Sequence, residues 1–176
     1  MSTVSEIRSQ LFADDRRTPN HPTFPLLIMH VPEAASADDP ADWFEHRFVA
    51  NDWRAVWRWE VYPYHHFHSL NHEVLGVSRG TATLTFGGEN GKSFDVRPGD
   101  VIVIPAGVGH KCIEASDDFL VVGAYPRGEV PDLIRTGDDH LDIARRRIAD
   151  VPIPREDPVN GSEGLLFDHW KAAGTH

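Results

Sequence analysis

Cysteine is almost absent from this chain, and so are long apolar runs and any surplus of positive charge. The one cysteine, Cys112, can form no intramolecular disulfide, which fits a reducing cytoplasm. No apolar run approaches the roughly 18 residues of a membrane span. Met1 to Gln10 is polar and lacks the apolar heart of a signal peptide, so the expected location is cytoplasmic. The net charge of −10 and the lack of a basic amphipathic stretch exclude non-specific nucleic-acid binding and membrane-surface attachment. No segment repeats. What remains is an ordinary globular composition, with hydrophobic residues at 40%. At 176 residues a single domain buries about 70% of its unfolded surface. Five Trp and nine Phe are many for this length and imply a well-filled barrel or an aromatic-lined pocket.

The chain divides into an N-terminal arm (1–50), a barrel core (about 51–126) and a helical, irregular C-terminal segment (127–176), all within one domain. Residues 1–24, broken by Pro19 and Pro22, read as irregular, and Leu26 to His30 as a short strand. Asp39 is a good N-cap and Pro40 suits a first helical turn. Trp43, Phe44 and Phe48 then line one face of a helix to Val49. From Trp53 the period becomes two: Trp57, Trp59 and Val61 alternate with Arg58 and Glu60, and Thr81, Thr83 and Thr85 with Ala82, Leu84 and Phe86. Gly87 to Gly91 is a hairpin turn, and Ser93–Arg97, Val101–Ile104, Lys111–Glu114 and Phe119–Tyr125 supply further strands. So many short strands indicate an all-β sandwich or barrel. Val101–Ile104 and Leu120–Val122 contain no polar residue, so their outer face needs a cover: the N-terminal arm or a second subunit. Asp138 to Asp150 reads as a helix, and Val151 to His176 as a proline-bearing tail without a period.

Within this frame, His66-Phe67-His68 is followed after four residues by Glu73 and after six more by Gly80. On a strand, residues i and i+2 share a face, so the two imidazoles can serve one point in space, and Glu73 can reach it from the next strand. A buried run from Gly99 ends in Pro105 and Gly107 punctuation and is followed by His110. Three imidazoles and a carboxylate suit one divalent ion: Fe, Mn, Co, Ni, Cu or Zn. By the same parity Tyr62 and Tyr64 turn inward with His66 and His68, and Cys112 and Glu114 with His110. His72 turns away from Glu73, toward the barrel exterior or a supporting position. Glu114 is a candidate general base, or an ion-pair partner of Arg79, and the Tyr64 hydroxyl a candidate for orienting a substrate oxygen.

These spacings resemble the two motifs of the cupin superfamily. The first is H-x-H, three or four residues, E, six residues, G, carried here by His66, His68, Glu73 and Gly80. The second is G, five residues, P-x-G, two residues, H, three residues, N. It is carried by Gly99, Pro105, Gly107 and His110, with Glu114 where the family usually has Asn. The flanking text resembles small bacterial single-domain cupins, an uncharacterised monocupin group. The resemblance implies a double-stranded β-helix, a jelly-roll barrel with a few peripheral helices. It also implies a divalent metal on His66, His68, Glu73 and His110, a small-molecule ligand or substrate, and a homodimer. The activity it implies is a metal-dependent enzyme on a small oxygen-rich molecule, first a dioxygenase. Alternatives are a sugar or keto-acid isomerase or lyase, and a non-catalytic module that binds a sugar or organic acid.

Overall fold

A computed structural model describes residues 1–137 and 140–171 of the chain. Its strands are β1 (Glu6–Gln10), β2 (Leu26–His30), β3 (Trp53–Trp59), β4 (His66–Phe67), β5 (Glu73–Arg79), β6 (Ala82–Phe86), β7 (Lys92–Val96), β8 (Asp100–Ile104), β9 (His110–Ala115), β10 (Leu120–Pro126) and β11 (Ile134–Arg135). Its helices are α1 (Pro32–Ala35), α2 (Pro40–Ala50), α3 (Leu141–Asp150) and α4 (Leu166–His169). All pairings are antiparallel. One sheet has six strands in the order β1-β2-β8-β5-β10-β3, and the other five in the order β11-β4-β9-β6-β7. This is the all-β jelly-roll with peripheral helices that the strand density and the resemblance implied.

The six-stranded sheet is apolar on both faces, and each face has its own core. Ile102 and Ile104 of β8 turn inward with Leu75, Val77, Leu84, Phe86 and Val121. Val101 and Val103 turn outward with Val74, Val122 and Ala124. Strand periodicity produces this split, since neighbouring residues point to opposite faces. The outer core is capped by α2, which begins as its sequence suggests: Asp39 accepts from Ala41 N–H (3.0 Å) and Asp42 N–H (3.2 Å), with Pro40 at the first turn. Phe44 and Phe48 of α2 are fully buried against the sheet, each burial stabilising by about 1.5–3 kcal/mol. Val159, Leu166 and Trp170 from the C-terminal segment complete the cover.

Three expectations change. The cover of the outer face is supplied by the chain itself, so the apolar outer face gives no reason for a second subunit. The homodimer then rests on the resemblance alone. The N-terminal arm is not wholly irregular: Glu6–Gln10 forms the edge strand β1 in register with β2. The late helix begins at Leu141 and buries Ala144 and Ile148, one turn apart on a single face, while Ile143 points to water. Its expected start at Asp138 lies outside the described residues, as does the tail beyond Lys171. Among the described residues no helix is long and apolar enough to cross a membrane.

Candidate metal centre

β4 and β9 pair so that His66 stands opposite His110. His68 follows two residues later, and Glu73 opens β5 in the facing sheet. The turn before β9 reaches this position because Gly107 takes φ +87°, a left-handed conformation natural only to glycine. The Gly107 N–H donates to the His68 carbonyl (2.7 Å), which holds the two motif segments together. The result is three imidazoles, each offering one nitrogen, all within 4.8 Å of one another. Glu73 closes the group from across the barrel: Oε1 lies 3.3 Å from His110 Nε2 and Oε2 3.5 Å from His68 Nε2. All four side chains are nearly out of water, at 3, 9, 2 and 3% exposure for His66, His68, His110 and Glu73.

The protonation of these rings follows from their other nitrogens. Nδ1 of His66 meets the Tyr64 carbonyl (3.0 Å), Nδ1 of His110 the Val108 carbonyl (3.1 Å) and Nδ1 of His68 the Asp132 carbonyl (2.5 Å). A carbonyl only accepts, so in each neutral ring the proton sits on Nδ1 and Nε2 is bare. Three lone pairs and a carboxylate then converge in a buried space, every one an acceptor. Such a set is satisfied by a cation, and imidazoles braced through Nδ1 are the usual supports of a metal. Burial, reinforced by the neighbouring His110, pushes His66 down to about 2, so that ring is neutral at all ordinary pH. At His68 burial acts the same way and is the largest single influence, but Glu73 and Asp132 together outweigh it and the ring titrates above its ordinary value. Burial opposes the charge on Glu73 too, but the neighbouring His68 and His110 rings still hold its carboxyl well below the usual range.

The group lies at the base of an open cavity of about 280 Å³. Its walls include Trp57, Trp59, Val61, Tyr62, Leu75 and Tyr125, and Pro131, Asp132 and Leu133 border it from the loop before β11. Tyr125 is the polar side chain nearest the acidic end. Its hydroxyl accepts from Trp57 Nε1–H (3.0 Å) and lies on the side of Glu73. Burial, then the Glu73 carboxylate, raise the phenol above its ordinary range, so it keeps its proton. Trp57 can lie there because β10 carries Gly123 beneath it: a Cβ at that position would fall 2.1 Å from the indole. The Asp132 loop is itself anchored, its carboxylate accepting from Ser69 N–H (2.8 Å), Ser69 Oγ–H (2.5 Å) and Leu70 N–H (3.2 Å).

The other residues singled out from the sequence sit as follows. Tyr62 lines the cavity. Tyr64 does not: the bend at Pro63 and Tyr64 breaks the strand period, and its ring stacks on Tyr62 (4.9 Å) under the Arg135 guanidinium (3.8 Å). Glu114 is also displaced from the role considered for it. The register slips between Thr83 and Leu84, so Cys112 pairs with Leu84 but Glu114 with Thr83. That bulge inverts the parity, and Glu114 ends exposed in a separate groove beside Thr83 and Arg97. Arg79 is exposed and donates to the Asp118 carbonyl (3.1 Å), making no ion pair with Glu114. Cys112 packs partly buried against the inner core. His72 is fully buried outside the barrel, accepting from Ala106 N–H (2.9 Å) and donating to the Pro152 carbonyl (3.0 Å), so its role is structural. Tyr125, Trp57 and Asp132 were not singled out as site residues. Tyr125 could have been found by parity, as it shares a face of β10 with Val121; Asp132 sits in a loop with no period to read.

The family model described as "Cupin domain" matches residues 58–122, which hold all four side chains of the group. A curated relative, the uncharacterized protein YjlB of Bacillus subtilis (strain 168), is 38% identical over 165 residues, 94% of this chain and 97% of that protein. Among solved structures, acireductone dioxygenase from Bacillus anthracis, with a cadmium ion in its active centre, aligns at TM-score 0.38 and 16% identity, covering 52% of this chain and 63% of that one. A structure from a study of DMSP lyases aligns at TM-score 0.37 and 23% identity, covering 46% of this chain and 42% of that one. The chain thus spans less than two thirds of either solved structure.

Proposed function

Since the chain belongs to the cupin superfamily, we propose that it is a metal-dependent enzyme of dioxygenase type acting on a small, oxygen-rich, chelating molecule. The observation that carries this reading is the convergence of three bare Nε2 atoms and a buried carboxylate at the base of an open cavity. A structural metal is usually enclosed by its protein ligands, whereas this group faces a space large enough for a small molecule. His66, His68, His110 and Glu73 would hold one divalent ion. Bound there, the ion would supply Lewis acidity toward the oxygens of a chelating substrate and, if redox-active, a centre for O₂ chemistry.

The chain's own contributions are separate. The backbone carbonyls of Tyr64, Val108 and Asp132 fix each ring's orientation and tautomer. The Trp57 indole N–H holds the Tyr125 phenol in the wall that also bears Glu73, leaving its hydroxyl as a proton-bearing group facing the cavity. The aromatic and aliphatic walls keep bulk water from the buried end.

The test loads the purified chain with Fe²⁺, Mn²⁺ or Ni²⁺ and follows oxygen uptake with catechols, β-diketones and enediols. Uptake that requires both a substrate and the loaded metal, and that disappears in His110→Ala, is the expected result. If the metal binds but no compound raises uptake above that of free metal, the binding-module reading replaces the enzyme. If His66→Ala and His110→Ala both keep a full complement of ion, the ligand assignment itself is wrong.

A further inference from the structure

The walls of the cavity carry an unusual charge pattern. The chain has 17 Lys and Arg, yet none of them lines this space. Small acids that chelate a metal leave a second carboxylate that needs a counter-cation, and nothing on these walls supplies one. At the mouth the opposite holds. Glu60 lines the rim, exposed to water, with no hydrogen-bonding or ion-pair partner among the described residues. The other acidic rim residue, Asp132, is already occupied by Ser69 and Leu70, with Arg147 at 3.9 Å from its carboxylate. Beside Glu60 stands Trp59, a large apolar side chain left 53% exposed at the end of β3. Its ring meets Tyr62 at right angles at 5.4 Å, an aromatic pair in the cavity wall. The same aromatic row already bears a cation at its outer end, where Arg135 lies 3.8 Å from the centroid of Tyr64, a ring outside the cavity.

An exposed indole with a free carboxylate beside it, in a cavity lined by no Lys or Arg, suits an ammonium group, which an aromatic face and a carboxylate both attract. We propose that the mouth formed by Trp59, Glu60 and Tyr62 recognises a positively charged nitrogen. The substrate class is then a small chelator carrying an amine or quaternary ammonium at the end remote from the metal site. This deepens the proposed function and rests on it for the chelating end. The ammonium end rests on the mouth alone.

Three probes with the same catechol head separate the possibilities: dopamine with a cationic tail, ethylcatechol with a neutral one and dihydroxyphenylacetate with an anionic one. They are titrated calorimetrically into the Zn²⁺-loaded chain without oxygen. Dopamine is expected to bind about tenfold more tightly than ethylcatechol, with dihydroxyphenylacetate the weakest. Glu60→Gln, a substitution at an exposed position, is expected to collapse the dopamine-to-ethylcatechol ratio. Equal binding of dopamine and ethylcatechol, or a preference for the acid, overturns the proposal. A second arm needs no metal: tetramethylammonium chloride is added against sodium chloride at equal ionic strength, and the indole N–H signal of Trp59 is followed by NMR. A saturable shift with tetramethylammonium alone, when no catechol binds, sinks the chelation reading and keeps the cation-binding mouth. No shift, when the catechols bind without regard to tail charge, sinks the mouth and keeps the chelation reading.

Discussion

Acidifying the metal-free protein perturbs three imidazoles that the fold keeps neutral. Burial pushes His21 down to about 4, His66 to about 2 and, with help from His21, His72 to about 3. In the unfolded chain each takes a proton near pH 6.5. Below that pH the unfolded state binds protons that the folded state refuses, so stability falls as pH falls. Between about pH 6.5 and about pH 5.5 this costs about 1 kcal/mol for each ring, or about 3 kcal/mol for three, since the unfolded rings are already half protonated at the start. His68 does not oppose this. Its folded value is raised, so its contribution is already complete below about pH 6.5 and stays level. Glu73 is depressed, so its contribution persists until the pH drops through the carboxylate range. Against a total of about 5–15 kcal/mol for a domain, a loss of about 3 is large. Urea unfolding in the presence of a chelator, at about pH 6.5 and about pH 5.5, measures it directly. His72→Gln offers an amide to both Ala106 N–H and the Pro152 carbonyl and should remove about a third of the slope. A loss below about 1.4 kcal/mol over that unit, one proton or fewer, would refute the claim that these rings are held neutral.

Four further outcomes are expected. Gly123→Ala places a Cβ 2.1 Å from the Trp57 indole, so the ring must move; stability should fall by about 1–3 kcal/mol in chemical denaturation while the metal is still retained. Tyr125→Phe removes a hydroxyl from the wall shared with Glu73 and strands the Trp57 N–H, and metal affinity from chelator competition should drop about 10-fold. Glu114→Gln, outside the cavity, should leave metal affinity and any oxygen uptake unchanged; a loss of either would return Glu114 to the site. Phe44→Ala empties a fully buried position between α2 and the outer sheet and should cost about 3–5 kcal/mol of folding stability.

The barrel was legible because its signals are local. Alternation in β6 and the capped start of α2 each state their structure within a few residues, and so does the Gly-Pro-Gly punctuation around β8. The metal group was legible for a related reason: His66 and His68 depend only on the short strand β4, and Gly107 sets the turn into β9. Parity failed where its premise failed. Pro63 bends the chain before Tyr64 can inherit the facing of His66. The bulge in β9 turns Glu114 outward although Cys112, two residues earlier, packs inward. Nothing local marks such a slip, since it is set by how β9 meets β6. The N-terminal arm is the expected cover of the outer sheet, and α2 supplies it, but the C-terminal share was equally hidden. Trp170 and Val159 reach the sheet from the far end of the chain, through tertiary packing that no periodicity records.

The short hydrogen bond from His68 to the Asp132 carbonyl gives the molecule a mechanical linkage. Of the three imidazoles, His68 alone is braced by a segment distant in sequence; His66 and His110 lean on their own strands' approaches. The loop through Asp132 also carries Pro131 and Leu133 to the rim of the cavity. An ion held by His68 would therefore pull on the doorway, and a substitution in this loop should change how long such an ion stays as well as what passes in.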